Sequence, residues 1–361
     1  MEASTEQLRE LSDWEPALGV VSVYLAFDPA DRTGAWRTEL RNGLERIRAE
    51  AEGAEHEPRI AVRATAGRLQ ERYEDDETRP PPRGEAGFVE VSEAPGREHW
   101  WTSGVAPAAP GVQLSPQPLL AGLLELAERG APHGVAVISS EQVRLLRFAA
   151  GQLEQIEEWE MSYFERDWRE RKSQSTNDPA RAHGVSSSGR DQYDQRLEHN
   201  RERFLAEAGK LAGERFADRG IGDALVIGPA GDWTEFGKGI AQTAVRAESA
   251  DRDDLISVPT GELSSHVEAA IERGRAKRDG AVVARALGDG DGRPGALGVQ
   301  DTAEALGEGR VEQLVVDAAI GAAAEPLVRD ALASSAAITI VRDELAEKLA
   351  RAEGVAAILR Y

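Results

Sequence analysis

His183-Gly-Val-Ser-Ser-Ser-Gly-Arg-Asp-Gln-Tyr-Asp-Gln-Arg-Leu-Glu-His-Asn-Arg201 changes character at its middle. Gly184, Ser186, Ser187, Ser188 and Gly189 carry too little apolar surface to order a chain, so the left half reads as a mobile loop. From Asp191 the helix formers Gln, Arg, Leu, Glu and Ala dominate. Leu197, Phe204, Leu205, Ala208 and Leu211 recur at helical spacing. A loop thus runs into a long helix reaching to about Asp218, with Gln192 at the junction.

Outward from this junction the pattern is that of alternating strands and helices. Upstream, His133–Ser139 is a buried strand, Val143–Phe148 its partner, and Gln152–Trp159 a third strand of a meander. Tyr163–Ser188 shows no apolar periodicity, and Phe164–Lys172 reads as a polar helix or ordered loop. Downstream, Asp223–Gly228 is a parallel-type strand, Pro229–Thr234 a turn, Thr234–Thr243 a helix and Ala244–Ala247 a short strand. This is a mixed-sheet domain over residues 131–262.

The flanks read as two further domains, and the whole as a multidomain α/β protein. In residues 1–130, Thr5–Asp13 is a helix, Gly19–Phe27 a central strand, and Thr33–Ala51 and Pro58–Tyr73 helices. Gly87–Val91 and Glu98–Gly104 form a hairpin in which Trp100 and Trp101 pack, and Leu119–Glu128 is a helix. Glu74–Glu85 and Pro107–Pro118 are proline-rich links. In residues 263–361, a helix begun at Thr260 runs to about Arg278. Val299–Gly307, Glu325–Ala333 and Asp343–Ala352 are helices, and Val311–Val316, Ala337–Val341 and Val355–Tyr361 strands. That order predicts an α/β/α sandwich. Ala286–Ala296 lacks the distal glutamate of a calcium loop and reads as a flexible connection.

The chain has 361 residues, no cysteine and a formal net charge of −21. Disulfides and thiolate chemistry are excluded. Met1–Trp14 has no apolar signal region and no run approaches a membrane span, so a cytoplasmic protein without membrane partners is expected. So acidic a chain is repelled by phosphate unless its cations are gathered locally. Residues 163–203 do gather them, with nine Lys or Arg against eight Asp or Glu. Two readings of that segment stand side by side, an RNA-facing surface and a solvated face of mutually paired charges.

Two C-terminal segments carry a resemblance. Asp301-Thr-Ala-Glu-Ala-Leu-Gly-Glu-Gly-Arg-Val-Glu-Gln-Leu-Val-Val316 and Glu353-Gly-Val-Ala-Ala-Ile-Leu-Arg-Tyr361 resemble segments of the archaeal and eukaryotic peptide-chain release factors and of Pelota. His133-Gly-Val-Ala136 is similar to the start of the central, RNase H-like domain of those proteins. Gly189-Arg-Asp-Gln192 stands where they carry Gly-Gly-Gln. It resembles the Gly-x-x-Gln loop of the Vms/ANKZF-type peptidyl-tRNA hydrolases and their bacterial relatives, with Arg196 and Arg201 in family register.

The resemblance implies a ribosome-associated peptidyl-tRNA hydrolase that frees nascent peptide on stalled ribosomes or large subunits. Gln192 and Gly189 would be its catalytic residues, and Arg166, Arg169, Arg171, Lys172, Arg190, Arg196 and Arg201 its contacts to RNA. It implies no metal and no cofactor; the partners would be the large subunit, peptidyl-tRNA and rRNA, and the protein monomeric off the ribosome. The broken glycine pair keeps an alternative open: a catalytically inactive hibernation or stress factor bound in the A site. Stop-codon reading is not expected, because the first 130 residues hold no Asn-Ile-Lys-Ser motif and no lysine. A metal-dependent RNase H-like nuclease is disfavoured by strands carrying mostly Val, Ile and Leu.

Overall fold

The computed structural model describes residues 5–28, 31, 34–74, 83–162, 189–250, 252–289 and 295–361. It is a mixed α/β, multidomain fold with three sheets. By packing the chain forms two compact units, residues 132–274 and residues 1–131 together with 275–361.

In the first stretch, helix α1 (Thr5–Ser12) precedes strand β1 (Val20–Ala26). Apolar on both faces, β1 takes a central place. It pairs antiparallel with β2 (Gly84–Glu90) and with β4 (Gly111–Ser115), and β3 (Glu98–Ser103) lies outside β2. Strand β4 corrects the reading of Pro107–Pro118 as a mere link. Pro110 and Pro116 bracket the strand rather than interrupt it, and at a sheet edge a proline removes no needed ladder bond. Helices α2 (Ala35–Glu50) and α3 (His56–Glu74) share one core with the sheet through Leu40, Leu44, Ile47, Val62 and Leu69. The expected link over Glu74–Glu85 falls mostly outside the described residues.

Residues 132–274 hold the second sheet. Strands β5 (His133–Ile138), β6 (Gln142–Ala149) and β7 (Gln152–Glu160) form the expected antiparallel meander. Then β8 (Asp223–Ile227) pairs parallel with β5, and β9 (Arg246–Ser249) parallel with β8. The order is β7-β6-β5-β8-β9. Alternation along β5 serves two cores. Ala136 and Ile138 meet Phe204, Leu205, Ala208 and Phe216 of α5 (Gly189–Ala217) and Phe236 of α6 (Ala230–Ile240). Val135 and Val137 share the other core with Leu263, Val267 and Ile271 of α7 (Thr260–Leu287). Two boundaries differ from expectation. The supposed turn at Pro229–Thr234 is the first turn of α6, which Pro229 caps in extended geometry and where Asp232 suits the helix dipole. Helix α7 continues to Leu287 instead of ending near Arg278. The division between the two compact units lies inside it, after Gly274.

The third sheet has the order β10-β13-β11-β12, from β10 (Ala296–Leu297), β11 (Val311–Asp317), β12 (Ala337–Val341) and β13 (Val355–Leu359). The last strand lies inside the sheet, as expected. Helices cover both faces. Leu306 of α8 (Gly298–Gly307) and Leu327 and Val328 of α9 (Glu325–Ala333) pack with Leu314 and Val316. Val283 and Leu287 of α7 and Leu349 of α10 (Asp343–Leu349) pack with Val315, Ala356 and Ile358. Gly309, at φ +69, turns the chain from α8 into β11. The first and third stretches meet through α4 (Ala121–Arg129) and α9. The buried Glu325 carboxylate accepts the Leu120 N–H at 2.6 Å, and the Arg329 guanidinium donates to the Ser12 and Pro118 carbonyls.

Candidate functional site

Gly189-Arg-Asp-Gln192 forms the first turn of α5, so the helix starts at Gly189, two residues before the start read at Asp191, and Gly189 and Gln192 are both helical. The side chains of Arg190, Gln192 and Arg196 lie outside what is described, as do Arg166, Arg169, Arg171, Lys172 and the whole expected loop, residues 173–188. Among the described side chains of α5, Phe204 is the first buried one; those before it are exposed or half-exposed, and Leu197 is 47% exposed. At about 1.5 Å per residue, the segment from Gly189 to Arg203 carries the tip roughly 20 Å beyond the buried part of the helix.

The base of this arm is fixed in two ways. Gly209 and Gly213 of α5 and Gly239 of α6 bring the two helices into backbone contact. A Cβ on Gly209 would overlap the Phe236 carbonyl, and one on Gly239 the Ala206 carbonyl and the Lys210 nitrogen. Arg201 then donates from Nη2 to the carboxylate of Asp232, which is 2% exposed, and lies 3.5 Å from Glu198 through Nη1. The Asp232 hydrogen bond pushes the Arg201 guanidinium above its ordinary value, against the opposing effect of burial. Sequence reading did not find Asp232. The signal was present, a carboxylate three residues after a proline that opens a helix.

Arg201 was expected to face RNA, and in the structure its guanidinium engages two carboxylates. Neighbouring cations of α5 are also paired, Arg203 with Glu207 at 3.0 Å and Arg215 with Glu157 at 2.8 Å. Among the described residues no cluster of three or more His, Asp or Glu is placed to hold a metal, and no helix is long and apolar enough to cross a membrane.

This arm, its base and the meander sheet lie within a segment, residues 118–272, that matches the family model "Bacterial archaeo-eukaryotic release factor family 10". Residues 118–272 of this chain thus carry the pattern of the bacterial branch of the release factors. The family 10 segment runs from the link before α4 to the part of α7 that packs on the central sheet. No curated protein matches the sequence. Among solved structures, the chain is similar to the archaeal translation termination factor aRF1 (19% identity, 99% of this chain and 96% of that one, TM-score 0.23). It is similar to archaeal Pelota, described in a ribosome-bound assembly with ABCE1 (15% identity, 100% and 95%, TM-score 0.40). It is also similar to Dom34 of S. cerevisiae (10% identity, 77% and 80%, TM-score 0.40).

Proposed function

We propose that this protein is a ribosome-associated peptidyl-tRNA hydrolase that frees nascent peptide on stalled ribosomes or large subunits. The observation that carries the reading is the place of Gly189-x-x-Gln192, at the tip of an exposed helical arm within the family 10 segment. A group that must reach an ester inside an RNA cavity needs a narrow, projecting support with a rigid base, and α5 has both. The order β7-β6-β5-β8-β9, a three-stranded meander followed by two parallel strands, supports the RNase H-like reading of the central domain.

The chemistry asked of the tip is modest. Glutamine is neutral and does not act as a general base. Its amide orients water and hydrogen-bonds to charge developing on the ester, a role worth a hundredfold or more in acyl transfer. Gly189 keeps the tip small. Arg190 and Arg196, with Arg166, Arg169, Arg171 and Lys172, supply phosphate contacts to tRNA and rRNA. Arg201 acts chiefly at the base, through Asp232. No cofactor or metal enters the scheme, and the protein works in the cytoplasm as a monomer when off the ribosome.

A second reading, an A-site-bound factor without activity, is favoured by one feature. Gly189 and Gln192 are separated by Arg190 and Asp191 inside a helical turn, so a charged pair stands in the sequence where the release factors carry glycine. The two readings separate in one experiment, release of labelled peptide from peptidyl-tRNA on stalled ribosomes, run beside ribosome pelleting. Release together with pelleting establishes the hydrolase, pelleting alone establishes the inactive binder, and neither overturns both.

A further inference from the structure

A groove of about 410 Å³ lies against α2 and the end of α3, outside the family 10 segment. Trp36, Arg37, Arg41 and Arg48 line it from α2, and Tyr73 and Glu74 from α3. Arg37 and Arg41 are one helical turn apart and Arg48 two turns further, so the three cations form one stripe about 16 Å long. Arginines in this part of the molecule are otherwise engaged: Arg46 donates to the Val112 carbonyl, Arg63 pairs with Glu52, and Arg72 lies 3.6 Å from Glu85. Arg37 and Arg41 form no ion pair or side-chain hydrogen bond with any described residue, although carboxylates outnumber cations in this chain, 64 to 43. Arg48 is held only by a 3.3 Å contact to Gln70.

The aromatic wall is firmly built. The Trp36 ring packs edge-on to Phe27, with centroids 5.2 Å apart, and tilted to Tyr73 at 5.8 Å. The Arg37 guanidinium lies over the Trp36 ring, 4.5 Å from its centroid. Tyr73 donates its hydroxyl to Glu85 at 2.8 Å, so its ring is what it offers the groove. Fixed rings beside planar guanidiniums that have no carboxylate partner among the described residues are the chemistry that takes a flat base together with its phosphate. The volume is that of a small-ligand cleft. Among the described lining residues Glu74 is the one carboxylate, against three arginines, in a chain of −21.

We propose that this groove binds a nucleotide, the base against Trp36 and Tyr73 and the phosphate on Arg37 and Arg41. The site is independent of the hydrolase reading, since it uses no residue of α5. The ligand chemistry has two sources, a free nucleotide or a nucleotide of a single RNA strand. Two probes distinguish them: fluorescent ADP and a fluorescein-labelled ten-residue oligoadenylate, each titrated by anisotropy into the full chain. Binding of ADP alone assigns a free nucleotide, and tighter binding of the oligoadenylate assigns an RNA strand.

Because Arg37 and Arg41 are exposed, Arg37→Glu with Arg41→Glu should keep the fold, checked by thermal melting. The double variant should weaken the bound probe at least tenfold and, for the oligonucleotide, lower the salt slope by about two. Gln192→Ala should leave this binding unchanged. The proposal is overturned if neither probe binds, if the double variant binds as wild type does, or if a polyglutamate peptide binds in preference to both.

Discussion

Arg201→Ala tests whether the arm has a rigid base. The substitution strands Asp232, which is 2% exposed, without its guanidinium, while the arginine side chain it removes is 34% exposed. Breaking a fully buried ion pair costs about 3–5 kcal/mol. Water reaching the site through the half-open arginine reduces that, so we expect about 2 kcal/mol. In hydrogen exchange, that is a loss of protection of roughly 30-fold, concentrated in peptides from α5 and α6. The full chain is the right material, because local exchange does not require two-state unfolding of two packed units. Arg201→Ala combined with Asp232→Ala should recover part of the loss and give a coupling energy of about 1–2 kcal/mol. Exchange in Arg201→Ala within twofold of wild type would refute the argument that Asp232 fixes the arm.

Gly239→Ala should destabilise by about 1–3 kcal/mol in urea melts, because its Cβ meets backbone at Ala206 and Lys210, whereas Gly231→Ala, with nothing within 4 Å, should be neutral or slightly stabilising. Glu325→Gln should alter pH dependence. Burial holds the Glu325 carboxyl above its ordinary value of 4.5, partly offset by the Leu120 and Ala121 N–H groups and Arg329. The folded chain therefore binds this proton more tightly than the unfolded chain. Its contribution is fully present below pH 4.5 and is lost as pH rises through the folded value. The stability difference, wild type minus Glu325→Gln, should fall from pH 4 to 8 in urea melts, and a rise would contradict the assignment.

Strands and helices with strong period were legible in the sequence: β1, β5, β6, β8, β11 and β12 each announce themselves through runs rich in Val, Ile and Leu. Short edge strands were not. In β4 only Val112 and Leu114 carry the alternation, and β10 has two residues, too few for a period to show. The start of α6 was hidden because Pro229-Ala-Gly-Asp has turn composition, and its helical geometry comes from packing of Gly239 and Phe236 on α5. The passage from a small polar stretch into α5 was visible from composition, and Gly189-x-x-Gln192 from the resemblance alone. Asp232 left a local signal, three residues after Pro229, but its pairing with Arg201 did not, because a contact across 31 residues leaves no local pattern. The joining of residues 1–131 with 275–361 was equally hidden. It rests on Glu325 and Arg329 meeting backbone groups far away in the chain.

The central claim is that Gln192 acts on the ester. Its most direct test is single-turnover release of labelled peptide by Gln192→Ala at saturating protein. The residue lies in the first helical turn beyond the buried core, so stability should change by under about 0.5 kcal/mol and ribosome pelleting should persist. Release should fall a hundredfold or more. Release at the wild-type rate by a folded, ribosome-bound Gln192→Ala protein would contradict the account.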